Sequence, residues 1–309
     1  MNTTTHVPSA ELHTRWCRLI SERPYLGTAD AARALGVSHA ELVSTRCGQG
    51  VVRLRPDWPA LFRALAAVGT VTMQTRNECA VHTVTGAFPP HPGWHVRPHA
   101  EGWQHALATL GAGFGLRDGI GVFDGHGRLT HEIQLTALSD DKAFRALIEA
   151  LRATDQTRLR LPAPLPTVRA PTAPPPRRRQ PDCASAPIIV PVRTAFHVLT
   201  HFTQRHLPIR LVVPGTGTTQ TRSGLIAGVI EAGPWLNVLG DGFRLHLRER
   251  DVSEARYAAS SGDCPVAPTL TLFDRHAEPV LILRACNPCT HEEFHWGTLR
   301  ARLDHACAA

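Results

Sequence analysis

The sequence predicts an α+β protein made by tandem duplication, with two large antiparallel β-sheets each flanked by helices. Three observations carry this expectation. Phe123-Asp124 with His126 is matched by Phe273-Asp274 with His276, 150 positions on. His95-Val96-Arg97 is matched by His246-Leu247-Arg248, 151 positions on. Two landmarks at nearly one offset indicate a domain-sized duplication, not a solenoid. The strand-like runs also follow one another without intervening helices, which argues for antiparallel hairpins and against a parallel sheet. Two similar sheets set back to back are expected to leave a cleft between them, where small ligands bind.

Taken in order, residues 10–66 read as helical. TADAARALGVSHAELVSTRCG carries a capping pattern at Thr28 or Asp30, apolar Ala32, Leu35, Val37 and Leu42, and a stop at Gly48. DWPALFRALAAVG adds a helix with Asp57 as N-cap, Pro59 in its first turn and Gly69 at its end. From residue 70 the texture turns to β-branched residues, alternation and tight turns, and Asp124-Gly125-His126-Gly127 reads as a hairpin turn. SDDKAFRALIEALRA (139–153) returns to helix, with Phe144, Leu147, Ile148 and Leu151 on one face. The Pro-rich segment 159–191 has no periodic apolar pattern and reads as an extended linker. It separates a first repeat, 1–158, from a second, 192–309. The second opens with a helix (193–206), continues through seven strand-like runs and closes with a helix over 292–305.

A length of 309 residues suits two such repeats, and 43% hydrophobic content is ordinary for packed cores. No run of 18 apolar residues exists, so no membrane span is expected. The N-terminal residues lack a basic start followed by an apolar stretch, which points to the cytoplasm. The eight scattered cysteines read as reduced thiols there. The net charge of +7 suits a small dianion as well as nucleic acid, and Arg177-Arg178-Arg179 supply part of it inside the linker. Gly36-Val37-Ser38 between two short helices resembles a helix-turn-helix. The second helix, AELVSTRC, offers a single Arg to a groove, so nucleic acid is not an expected partner.

TRNECAVHTVTG (75–86), LRPDWPALFRALAAVGTV (54–71), GPWLNVLGDGFRLHLRE (233–249) and the two Phe-Asp turns resemble the HemS/ChuX family of bacterial haem-utilisation proteins. The resemblance covers most of the chain outside the linker. It implies a duplicated antiparallel fold and haem as ligand or substrate. It further implies cytoplasmic haem trafficking and, for some members, haem degradation. The implied partners are a haem importer, or a haem oxygenase and a reductase. The family site has a histidine on one side of the iron and an arginine on the other. WHVRPHAEGW aligns with the arginine strand, so Arg97 is the matching position. The helical run carrying the family's histidine has no counterpart here. His197, His201 and His206 are the candidates to supply it, the first two sharing a helical face. Further candidates for the pocket are His82, in the Ala-Val-His run, and Arg248, read as repeating Arg97. Tyr257 is another, since its hydroxyl can serve a propionate or ferric iron. The alternative is a diverged binding or regulatory protein of the same fold that has lost iron ligation and takes a porphyrin or a macromolecule. Separately, Cys286, Cys289, His291 and His295 have zinc-like spacing. Arg76, Asn77 and Glu78 read as a buried polar network at a strand end.

Overall fold

The computed structural model describes residues 9–88, 93–99, 102–111, 113, 115–161, 187–258, 268–286 and 295–296. Its helices are α1 (Ser9–Glu22), α2 (Thr28–Leu35), α3 (His39–Ser44), α4 (Trp58–Val68), α5 (Asp141–Leu151) and α6 (Thr194–Gln204). Strands of the first half are β1 (Val51–Leu54), β2 (Gly69–Arg76), β3 (Ala80–Ala87), β4 (Trp94–Pro98), β5 (His105–Thr109), β6 (Gly119–Phe123) and β7 (Leu129–Ser139). Those of the second are β8 (Ile188–Val190), β9 (Ile209–Pro214), β10 (Thr218–Gly224), β11 (Gly228–Ala232), β12 (Trp235–Gly240), β13 (Phe243–Leu247), β14 (Val252–Ala258), β15 (Thr269–Asp274) and β16 (Pro279–Ala285).

Local chemistry explains the boundaries. The side chains of Asp57 and Asp140 accept the backbone N–H of Ala60 and Ala143 at 3.0 and 2.9 Å, starting α4 and α5. Ser38 and Glu41 close a capping box at α3, while Gly36, with φ +71°, ends α2 in the left-handed region. The start of α2 differs from expectation: Gly27 is the N-cap and neither Thr28 nor Asp30 caps it. The paired Phe-Asp landmarks are one turn built twice. Asp124 accepts the backbone N–H of His126 and Arg128, and Asp274 accepts those of His276 and Glu278.

The α+β expectation holds, but the sheets are not the two repeats. The nine-stranded sheet runs β1-β5-β6-β7-β2-β3-β13-β12-β11, and the seven-stranded sheet runs β4-β10-β9-β16-β15-β14-β8. Each repeat donates its His-x-Arg strand to the other's sheet: β4 pairs with β10, and β13 pairs with β3. Both ladders are antiparallel throughout.

Among the described residues the expected cleft between the sheets is closed, because their inner faces share one apolar core. That core joins Met73, Ile133, Leu245, Leu211, Leu272 and Leu283 with α4, α5 and α6. At the crossing, Asn77 donates to the carbonyls of Pro214 and Val280, both at 2.8 Å, and accepts the N–H of Cys79 and Ala80. Of the predicted polar network, Asn77 is therefore this staple, whereas Glu78 is exposed. Asn77→Ala is expected to cost about 2–4 kcal/mol, since it orphans buried backbone groups in both sheets. A urea midpoint unchanged from the native protein would contradict this.

Two further boundaries differ. Val51–Leu54 is a strand paired with β5, not part of a helical run, because its inward residues fill the sheet edge. The supposed linker is narrower, since Leu159 and Leu161 are buried beside α3 residues and Ile188–Val190 is an edge strand on β14. Most of the predicted closing helix lies outside the described residues. No described helix is long and apolar enough to cross a membrane.

Candidate functional site

The strand pairings first correct the repeat alignment. The Phe-Asp match makes Ile133 and Leu283 equivalent. They pair with Met73 and Leu211, which pair in turn with Val84 and Arg222. Those two pair with Phe243 and Trp94. Trp94 thus corresponds to Phe243, both buried, and Arg97 corresponds to His246. Arg248 falls beyond the strand. It donates to Asp251 at 2.9 Å and covers the Trp235 ring at 4.7 Å, a local anchor instead of a second Arg97.

Alternation along β4 buries Trp94 and points His95, Arg97 and His99 outward. Arg97 is exposed and stands opposite Thr219 of β10. The next row across this outer face reads His95, Thr221, Val212, Ile282, Thr271, Arg256. One row further lie Arg210 and Arg284, directly opposite each other on β9 and β16. Arg210 donates to Ser223 Oγ at 3.0 Å, and neither arginine has a carboxylate partner among the described residues. Burial, then the Arg210 charge, holds the Arg284 pKa below its ordinary value. His99 Nε2 lies 2.9 Å from Thr219 Oγ1, and burial, then Arg97, holds its pKa down. An apolar pair, Val212 and Ile282, is thus framed by cations and imidazoles.

The other predicted residues do not join this face. Helix α6 buries Val198, Leu199 and Phe202 in the inner core. Phe202 meets Trp296 at 5.3 Å, and Trp296 stacks on Tyr257 at 6.1 Å. Tyr257 sits opposite Leu270, on the inner side. Alternation therefore puts α6 and Arg97 on opposite sides of one sheet. His197 is exposed, and His206 is exposed at the helix end with φ +53°. His201 Nε2 lies 3.1 Å from Nδ1 of buried His295. Of the predicted zinc set, Cys289 and His291 lie outside the described residues, and Cys286 is half-buried after β16. His82 is fully buried between the sheets, against Phe243, and burial, then Arg222, lowers its pKa to about 3. It is a neutral core residue.

Sequence reasoning did not single out Arg210, Arg284, His95 and His99, which the strand pairings and alternation place on the same face as Arg97. His-x-Arg-x-His has a period of two, the available signal for His95 and His99. The arginine pair is non-local and left no signal.

A second feature lies on the outer face of the nine-stranded sheet, a cleft of about 860 Å³. Its floor is β2, β3, β7 and β13, and its walls are Gly27–Asp30, His39 and Gly115–Arg117. Helices α2 and α3 form the wall here because α3 buries Ala40 and Val43 against Leu107 and Phe123.

Fold and face together define a class: an interlocked, duplicated α+β binding protein that presents a basic, partly apolar platform. Residues 36–151 and 182–303 each match the family described as the haemin-degrading HemS.ChuX domain. The chain belongs to that family. It is 28% identical over 288 residues to the hemin transport protein HmuS of Yersinia pestis, covering 80% of this chain and 84% of the relative. It superposes on holo-PhuS, a heme-binding protein from Pseudomonas aeruginosa, with TM-score 0.78 and 27% identity over 91% and 94% of the two chains. ChuS, an E. coli heme oxygenase, shares the fold with TM-score 0.77 at 21% identity, over 94% and 99% of the two chains.

Proposed function

We propose that this chain is a haem-binding protein of haem utilisation that receives haem on the outer face of the seven-stranded sheet. The observation that carries the reading is the composition of that face. Val212 and Ile282 offer an apolar centre for a flat macrocycle. Arg97 stands at one edge and the Arg210–Arg284 pair at one end, where guanidiniums suit propionates through charge-assisted hydrogen bonds. Imidazole suits iron, and His95 and His99 stand beside Arg97. Neutral imidazole is the ligating form, which the lowered pKa of His99 favours. The hemin transport and heme-binding relatives support the same cargo. His95 and Arg97 are exposed on this face, which suits a carrier that takes haem from an importer and hands it to a degrading enzyme. Arg97 comes from the first repeat and Val212 from the second, so the proposed site needs both.

Titration of the apoprotein with hemin tests the reading by absorption. A shifted Soret band saturating near one equivalent is expected. Arg97→Ala, and His95→Ala with His99→Ala, should each weaken binding by about 10-fold or more, the worth of one charge-assisted or ligating contact. His197→Ala and His206→Ala should leave it unchanged. No Soret shift sinks the reading, and loss confined to His197→Ala moves the site to α6. Equal affinity for metal-free porphyrin and hemin would favour a porphyrin binder without iron ligation.

A further inference from the structure

We propose that the cleft on the outer face of the nine-stranded sheet is a second ligand site, for a small polar anion carrying at least two phosphate or carboxylate groups.

The duplication supplies the argument, because it lets each floor position be compared with its equivalent on the other sheet. Where the seven-stranded sheet has Val212 and Ile282, the nine-stranded sheet has Gln74 and Glu132. Where the first has the edge residues His95 and Arg97, the second has Arg244 and His246. One backbone frame thus presents an apolar centre on one side and a hydrogen-bonding centre on the other. A macrocycle with wide apolar faces suits the first and not the second, since buried amide and carboxylate groups need polar partners. The cleft volume of about 860 Å³ lies within the range of small-molecule sites.

Charge defines the ligand further. Arg76, Arg117 and Arg244 line the cleft, and among the described residues none has a carboxylate within ion-pair distance. Arg76 donates to Gln74 Oε1 at 2.6 Å and Arg117 to Gln134 Oε1 at 3.4 Å, neutral partners only. Of the two lining carboxylates, Asp30 is already paired with Arg33 at 2.6 Å, leaving Glu132 against three guanidiniums. Arg76 and Arg244 sit on strands two steps apart and in adjacent rows, so their Cα atoms are about 12 Å apart by strand geometry. That spread suits separate anionic groups on one molecule, not a lone oxyanion. His246 Nδ1 donates to Asn237 Oδ1 at 2.5 Å, which leaves Nε2 as an acceptor for a ligand hydroxyl. His39 Nδ1, also in the lining, is buried without a partner.

The proposal does not rest on the haem reading. Calorimetric titration of the full chain at fixed ionic strength tests it, with inorganic tripolyphosphate and citrate as probes and sulfate as the single-anion control. At least one probe should bind about 10-fold or more tighter than sulfate, the difference one extra charge-assisted contact makes. Arg244→Gln and Arg117→Gln should each weaken that probe by about 10-fold, while the hemin titration of the same variants stays as in the native chain. Arg244 is exposed, so its substitution leaves the core intact. Equal weak binding of all three anions overturns the proposal, as does unchanged probe affinity in both variants. A gel shift of duplex DNA with no heat from tripolyphosphate also overturns it, in favour of a macromolecular polyanion.

Discussion

Replacing Arg210 and Arg284 together with Gln is expected to weaken hemin binding while raising the stability of the apoprotein. The two arginines face each other across β9 and β16, and like charges directly opposite in a sheet destabilise it by about 0.2–1 kcal/mol. Burial, then the Arg210 charge, holds the Arg284 pKa below its ordinary value, the direction that such a facing pair gives. In the apoprotein the double substitution relieves that repulsion, so the urea midpoint should rise slightly. With hemin the same two groups would lose charge-assisted hydrogen bonds worth about 1.5–3 kcal/mol each, a combined loss of about 100-fold or more in affinity. Opposite signs in the two measurements are the signature of residues kept for a ligand. A fall in apoprotein stability with unchanged hemin affinity would assign the pair a structural role instead.

Gly102→Ala is expected to be strongly destabilising. A Cβ at Gly102 would lie 2.0 Å from the Cα of Gly217, and one at Gly217 would lie 2.5 Å from the Cα of Gly102. Both neighbours are backbone, so no side-chain rotation relieves the contact. The two segments are also tied at this point. His99 N–H donates to the Gly217 carbonyl at 2.9 Å, Thr130 Oγ1 donates to the Gly102 carbonyl at 3.1 Å, and Trp103 Nε1 donates to Thr218 Oγ1 at 2.7 Å. Separation there should cost about 3 kcal/mol or more, at the upper end of overpacking. It should also loosen β4 from β10, and with it the position of Arg97. Gly228→Ala is the control, since a Cβ there meets nothing within 4 Å. Urea unfolding followed by tryptophan fluorescence reads both variants. Equal midpoints would show that the repeats do not depend on this close approach.

The features legible in the sequence are those whose causes lie within a few residues. The Asp57 cap and the two Phe-Asp turns are set by hydrogen bonds of short span, and the apolar face of α5 by helical spacing, so local pattern revealed them. Arg97 was singled out by its motif as a candidate, and its exposure follows from strand alternation. The histidines of α6 were misplaced relative to it, because helical periodicity says which residues share a face but not which side of a sheet the helix covers. The His-x-Arg match was off by two residues, an error that period-two alternation conceals, since a shift of two keeps every side chain on its own side. Arg248 in consequence looked like a second Arg97 and is a partner of Asp251.

By itself the sequence determined the duplication, the α+β class and the family, because these are carried by local patterns repeated in order. Only the tertiary structure decided that the repeats exchange their His-x-Arg strands, that the inner faces close into one core, and that the Arg97 and Arg244 faces open outward. The physical reason is that strand exchange is settled by backbone ladders and apolar burial between residues far apart in the chain. β4 reaches Thr219 of β10, and β13 reaches Val81 of β3, through pairings that no local spacing encodes. Those pairings put Arg97 over the second repeat's sheet and Arg244 over the first's, so each face is built from both halves of the chain.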